Sequence, residues 1–174
     1  MSKVTLVTGG ARSGKSRFAE KLAEGYAPQR GYIATGQAGD AEMAERIARH
    51  RGRRGSDWET VEEPLELAGA IARIDGTYSV VLVDCITLWL SNMLFHCEGG
   101  ASEALQRVVS FTESFPAFST PLVIVTNEVG MGIVPEHPLA RSFRDLAGEA
   151  NELIAARADE VYVTISGMPL KLKP

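Results

Sequence analysis

The sequence predicts an α/β fold, a mostly parallel sheet with helices on both faces. Apolar runs at 4–7, 31–34, 80–83, 122–125 and 161–165 are rich in Val, Ile and Leu and alternate little. Strands buried on both faces of a parallel sheet read this way. Helical patterns fall between them, at 16–24, 41–53, 65–74, 86–95, 102–115 and 138–155. A glycine-rich loop joins the first run to the first helix.

Taken in order, run 4–7 feeds that loop, and helix 16–24 leaves it. Run 31–34 precedes an arginine-rich helical pattern at 41–53. Helix 65–74 leads to run 80–83, which ends on Asp84, and helix 86–95 follows. Gly99-Gly100 and the stretch 116–121 read as surface turns around helix 102–115. Run 122–125 ends on Thr126-Asn127-Glu128 before helix 138–155. Run 161–165 closes the pattern, and the tail 168–171 adds a short strand. The chain has 174 residues, enough for one domain with a substantial core, so residues 1–174 are expected to form a single unit.

Composition narrows the function. Apolar residues make up 45% and charged residues 23%, as in soluble globular proteins. A net charge of −4 argues against bulk nucleic-acid binding, which needs a basic footprint. Cys85 and Cys97 match neither a zinc spacing nor a disulfide framework, which suits a reducing compartment. The N-terminus enters a strand pattern at once, and no apolar run approaches the ~18 residues of a membrane span. A cytoplasmic protein is expected.

Gly9-Gly10-Ala11-Arg12-Ser13-Gly14-Lys15-Ser16 satisfies GxxxxGK[ST] between a strand and a helix, the context this phosphate-binding loop requires. Glycines let backbone N–H groups turn toward phosphate oxygens, and the helix adds its positive N-terminal end. Lys15 would reach the β- and γ-phosphates, and Ser16 would offer its hydroxyl to Mg²⁺. With four fixed positions, a chain of this length meets the pattern by accident roughly once in a few hundred. The flanking strand and helix make accident rarer still.

Two further strand ends carry polar groups. Asp84 either completes a Mg²⁺ site opposite the loop or caps the following helix. Asn127 and Glu128 either face the ligand crevice, Glu128 acting on a nucleophile and Asn127 orienting a ligand, or serve turn chemistry. In the 41–53 segment, Met43, Ile47 and His50 share one helical face, among Arg46, Arg49, Arg51, Arg53 and Arg54. Five arginines in nine residues suit a polyphosphate. His50 is then either a core histidine or a nucleophile at phosphorus.

These motifs together resemble the bifunctional adenosylcobinamide kinase / adenosylcobinamide-phosphate guanylyltransferase family of cobalamin biosynthesis. The resemblance runs through TGGARSGKSRFAE, YIATGQ, DAEMAERIARHRGRR, LVDCITLWLSN, VTNEVGMGIVPEHPLARSFRDLAGEANE and ADEVYVTISGMPLKLK, nearly end to end. It implies a RecA-like P-loop NTPase sheet and two reactions: phosphorylation of adenosylcobinamide by ATP or GTP, then GMP transfer from GTP to adenosylcobinamide phosphate with release of pyrophosphate. It implies that the guanylyl group rides on His50. It places nucleotide contacts at Gly9, Gly10, Ala11, Arg12, Ser13, Gly14, Lys15 and Ser16, and at Ala34, Thr35, Gly36, Arg51, Gly52, Arg53, Arg54, Glu62 and Asp84. It further implies Lys15 as a catalytic group, Ser16 and Asp84 as Mg²⁺ ligands, and a homotrimer.

Two rival readings use the same loop. A monofunctional small-molecule kinase keeps Lys15 and Asp84 but gives His50 no task. A non-catalytic nucleotide-binding module releases no pyrophosphate when given adenosylcobinamide and GTP.

Overall fold

A computed structural model describes residues 2–173 apart from 38, 40, 42–44, 46, 47, 49–51 and 53. The described strands form one seven-stranded sheet in the order β3-β2-β4-β5-β1-β6-β7. They are β1 (Val4–Gly9), β2 (Arg30–Ala34), β3 (Trp58–Glu62), β4 (Val81–Asp84), β5 (Leu122–Val125), β6 (Glu160–Ile165) and β7 (Met168–Lys173). Every neighbouring pair is parallel except β6 and β7, which form an antiparallel hairpin. The helices are α1 (Lys15–Ala23), α2 (Leu67–Ile74), α3 (Ile86–His96), α4 (Gly100–Glu113) and α5 (Pro138–Arg157), with a short 3-10 turn at Phe115–Ala117. Within the segment 41–53, the described Ala41, Glu45, Ala48 and Gly52 are helical.

Both faces of the sheet are covered, which explains the unbroken apolar runs. On one face Ala19 and Ala23 of α1 pack with Val7, Leu82, Val123 and Val125. On the other, Leu6, Ile33, Val83 and Ile124 meet Ile71, Trp89, Val108 and Ala147 of α2 to α5. Small residues on α1 let that helix approach the strands closely. Trp89, Phe111 and Phe115 form edge-to-face pairs with ring centroids 5.5 and 5.0 Å apart. Such pairs add about 0.5–1.5 kcal/mol each beyond area burial. Trp89 Nε1 donates to the Leu65 carbonyl at 2.7 Å, so the buried indole leaves no polar orphan.

Three details depart from the sequence reading. Strand β3 was not expected: Trp-Glu-Thr-Val-Glu is polar and half-exposed, as an edge strand with one partner can be. Gly100 begins α4 rather than forming a surface turn, at a φ of 56°. The stretch 116–121 is only partly superficial, because Phe118 and Thr120 are buried.

Candidate functional site

The site is assembled at the carboxyl edge of the parallel strands, where a parallel α/β sheet leaves its crevice. Pairing in register aligns Glu62, Ala34, Asp84, Val125 and Val7 across five strands. Candidate residues spread over the chain thus share one row, and the phosphate loop starts two positions beyond Val7.

The loop's shape depends on close backbone approaches. Gly9 has a φ of 152°, and a Cβ there would lie 2.6 Å from both Ser13 Oγ and the Thr164 carbonyl oxygen. Gly14, at a φ of 94°, is the N-cap of α1, and a Cβ would meet Gly167 Cα at 3.2 Å. Only glycine fits these positions without displacing backbone. The loop closes on itself through Ser13 N to Gly10 O at 3.2 Å.

The β6–β7 hairpin braces the loop from behind. Its turn, Ser166-Gly167, has φ of 52° and 82°, both residues left-handed as in a two-residue type I′ turn. Gly167 N donates to Ser13 O at 2.8 Å, and Ser13 and Thr164 pair their hydroxyls at 2.8 Å. Lys15 is buried, and its Nζ donates to Gly10 O at 3.1 Å. Ser16 follows in the first turn of α1, half-buried, while Ala11 and Arg12 are exposed.

Asp84 is no helix cap. The N-cap of α3 is Cys85, with no side-chain capping bond, and Asp84 Oδ2 instead accepts from the Tyr32 hydroxyl at 3.1 Å. Burial and the adjacent Asp84 push the Tyr32 phenol well above its ordinary pKa. The Arg54 guanidinium carbon lies 3.4 Å from the Tyr32 ring centre, and Arg54 Nη1 is buried with no hydrogen-bond partner among the described residues. A buried guanidinium N–H without a partner among the described residues, beside this crevice, fits an anionic ligand. Thr35 is fully buried, and its hydroxyl donates to Cys85 O and accepts from Cys85 N, each at 2.8 Å. That side chain fixes the end of β4. Gly36 lies beside Leu88, whose Cδ1 would be 3.1 Å from an added Cβ.

A second polar cluster follows β5. Glu128 N donates to Gly9 O at 3.1 Å, and Glu128 Oε1 accepts from Thr8 Oγ1 at 2.6 Å. Asn127 donates from its backbone and its side chain to Thr87 Oγ1, at 3.1 and 3.0 Å. Neither Tyr32, Thr8, Thr87 nor Thr164 stood out in the sequence. For Thr8 and Thr164 the available signal was a polar residue near the end of an apolar strand; Tyr32, mid-strand in β2, and Thr87, in the first turn of α3, gave none.

The structure therefore brings together the phosphate loop, Thr35, Asp84, Arg54 and Glu128, with exposed Glu62 at the rim. Met43, Arg46, Ile47, Arg49, His50, Arg51 and Arg53 lie outside the described residues. Of the other histidines, His96 ends α3 with Nδ1 2.8 Å from Asn92 O. His137 caps α5, accepting from Leu139 N at 3.3 Å.

Residues 5–172 match the family described as cobinamide kinase / cobinamide phosphate guanyltransferase. The chain belongs to that family. It is 44% identical to the bifunctional adenosylcobalamin biosynthesis protein CobP of Pseudomonas aeruginosa, across 97% of this chain and 96% of that protein. The CobU proteins of Salmonella typhimurium and Escherichia coli are each 44% identical as well, across 97% of this chain and 98% of theirs. The protein is thus a bifunctional cobinamide kinase and cobinamide phosphate guanylyltransferase of adenosylcobalamin biosynthesis, with a P-loop fold. Among solved structures, a KaiC-like protein of Pyrococcus horikoshii superposes with a TM-score of 0.54 at 13% identity, over 92% of this chain and 70% of that one. The P4 protein of bacteriophage phi13 gives 0.53 at 16%, over 97% of this chain and 53% of that one. At such identities the likeness concerns fold alone. No helix among the described residues is long and apolar enough to cross a membrane.

Proposed function

We propose that both activities use one nucleotide site, at the carboxyl edge of the sheet, within a single catalytic domain across residues 1–174. The observation that carries this reading is the register row that sets Asp84 opposite the loop of Lys15. The loop amides from Gly9 to Ser16 and the Lys15 ammonium would hold the phosphates of ATP or GTP. Arg54, whose Nη1 has no hydrogen-bond partner among the described residues, supports the same placement. Ala34, Gly36, Gly52 and Glu62 would border the bound nucleotide, while buried Thr35 would act by fixing the end of β4. Ser16 and Asp84 would hold Mg²⁺, because a hydroxyl and one carboxylate beside phosphate oxygens suit that hard cation. When bound, it neutralises charge on those oxygens.

The kinase reaction moves the terminal phosphoryl group to the hydroxyl of adenosylcobinamide. Here the chain supplies positioning and fixed positive charge. In guanylyl transfer, the His50 imidazole attacks the α-phosphorus of GTP; a P–N bond forms and pyrophosphate leaves. An oxygen of adenosylcobinamide phosphate then displaces His50 at that phosphorus, giving adenosylcobinamide-GDP. Splitting the transfer keeps two anionic substrates from meeting in one step. The arginines of the stretch, with Arg49 and Arg51 on either side of His50 in sequence and Arg53 close by, would offset the developing charge.

The test is labelling. GTP labelled at the α-phosphate should leave a covalent label that survives alkali and is lost in acid, while γ-label should leave none. His50→Ala should abolish labelling yet keep most kinase activity. Labelling that persists in the variant would remove His50 from this role.

A cytoplasmic homotrimer is also proposed. It rests on the family resemblance, and exposed Ile165, Met168, Leu170 and Leu172 on the edge hairpin support it, since an uncovered apolar strand edge favours association. Light scattering at micromolar concentration that gave a monomer mass would count against the trimer.

A further inference from the structure

We infer that Glu128 is the general base of the kinase reaction, taking the proton from the hydroxyl of cobinamide. The inference rests on the nucleotide placement proposed above. Strand β5 lies between β1, which ends in the phosphate loop, and β4, which ends in Asp84. Its outgoing chain therefore enters the crevice between the lysine and the carboxylate assigned to the phosphates and their cation. Glu128 is tied there at its backbone, because its N–H donates to the carbonyl of Gly9, the first loop residue, at 3.1 Å.

Among the described residues the side chain is held by one oxygen only. Thr8 Oγ1 and Asn151 Nδ2 both donate to Glu128 Oε1, at 2.6 and 3.2 Å, so Oε2 lies outside both bonds. Asn151 is oriented in turn by the Thr126 hydroxyl at 2.7 Å, and it also donates to Asn127 O at 3.1 Å. A half-buried carboxylate anchored through one oxygen keeps a defined direction and a second oxygen for a ligand proton. Beyond it the chain passes exposed Met131 and Ile133, in a loop a bulky acceptor can reach.

The step balances. The substrate hydroxyl oxygen forms a bond to the terminal phosphorus while its proton passes to Glu128. The bond from that phosphorus to the bridging oxygen breaks, and the nucleoside diphosphate leaves. The carboxylic acid then loses its proton to water.

Glu128→Gln separates this role from scaffolding, because the amide carbonyl can still accept from Thr8 and Asn151. The variant and the wild type are assayed side by side with saturating adenosylcobinamide. Kinase kcat should fall by roughly 100-fold or more. The KM for nucleotide should stay within about threefold, and so should covalent labelling by α-phosphate-labelled GTP, since neither needs a base for this hydroxyl. A variant that kept a third or more of the wild-type kcat would overturn the inference. Parallel loss of kinase activity and labelling would overturn it too, in favour of a purely structural carboxylate.

Discussion

Tyr32 donates a 3.1 Å hydrogen bond to Asp84, across the register that pairs β2 with β4. The phenol stays protonated well above the ordinary tyrosine range, because burial and the carboxylate both oppose its ionisation. It therefore donates throughout any working pH and fixes one carboxylate oxygen. The carboxylate is oriented before any cation arrives.

The first prediction concerns this pair. Asp84→Asn should raise the Mg²⁺ concentration for half-maximal activity by roughly 100-fold, through loss of the charge. Tyr32→Phe should raise it by only about tenfold, since orientation alone is lost. Titration of activity with Mg²⁺ checks both, and equal, negligible shifts would remove Asp84 from the cation site.

Lys15→Ala should depress both reactions by roughly 100-fold or more, because the proposed site sets this ammonium on the triphosphate in each. Parallel kinase and guanylyl-transfer assays measure this. Near-normal turnover of GTP would refute the placement of the phosphates.

Thr35→Val keeps the side-chain shape but strips the Cys85 N–H and C=O of their shared partner. An abandoned buried group costs about 1–3 kcal/mol. Thermal unfolding should fall by roughly 2–4 °C per kcal/mol lost in a domain of this size. An unchanged midpoint would mean that the end of β4 does not depend on this hydroxyl.

Asp75 joins the loop after α2 to the segment before β5, accepting from Ser119 N and Thr120 N. Burial opposes its ionisation, but these bonds win and lower its pKa to about 2. A depressed carboxylate stabilises the fold above its unfolded pKa of about 3.9, and that contribution fades as pH falls toward 2. Asp75→Asn should therefore unfold at lower temperature than wild type at pH 7, with the gap closing between pH 4 and pH 2. A gap independent of pH would contradict the assignment.

The two thiols should differ in reactivity. Burial, then the neighbouring Asp84, pushes Cys85 up to about 11, while Cys97 is only half-buried. Iodoacetamide at pH 8 should modify Cys97 first and leave Cys85 intact in the folded protein. Peptide mapping after brief exposure tests this; early label on Cys85 would indicate an opened β4 end.

The inner strands were legible because β1, β4 and β5 are covered on both faces, which forces unbroken apolar runs. Strand β3 was not, because an edge strand with exposed Glu59 and Glu62 has no such constraint. The phosphate loop was legible because its chemistry is local, with glycines and lysine at fixed spacing. The pairing of Tyr32 with Asp84, and of Thr8 with Glu128, joins residues 52 and 120 positions apart, and register alone decides it. Asp84 showed the same limit, since its carboxylate at a strand end suited a cap as well as a ligand, and only the fold shows that it makes no capping bond.

The brace on the phosphate loop also has a temporal side. Ser13 and Thr164 lie 151 positions apart, and Gly167 is further along still. A nascent chain can therefore expose the whole GxxxxGK[ST] segment long before it has anything to lean on. Until the ribosome has released residues past Gly167, the loop has no backing, and nucleotide in the cell has no finished cradle to stabilise. Completion of the cradle thus waits on the hairpin, and chains that stop short of Gly167 should not compete for the nucleotide.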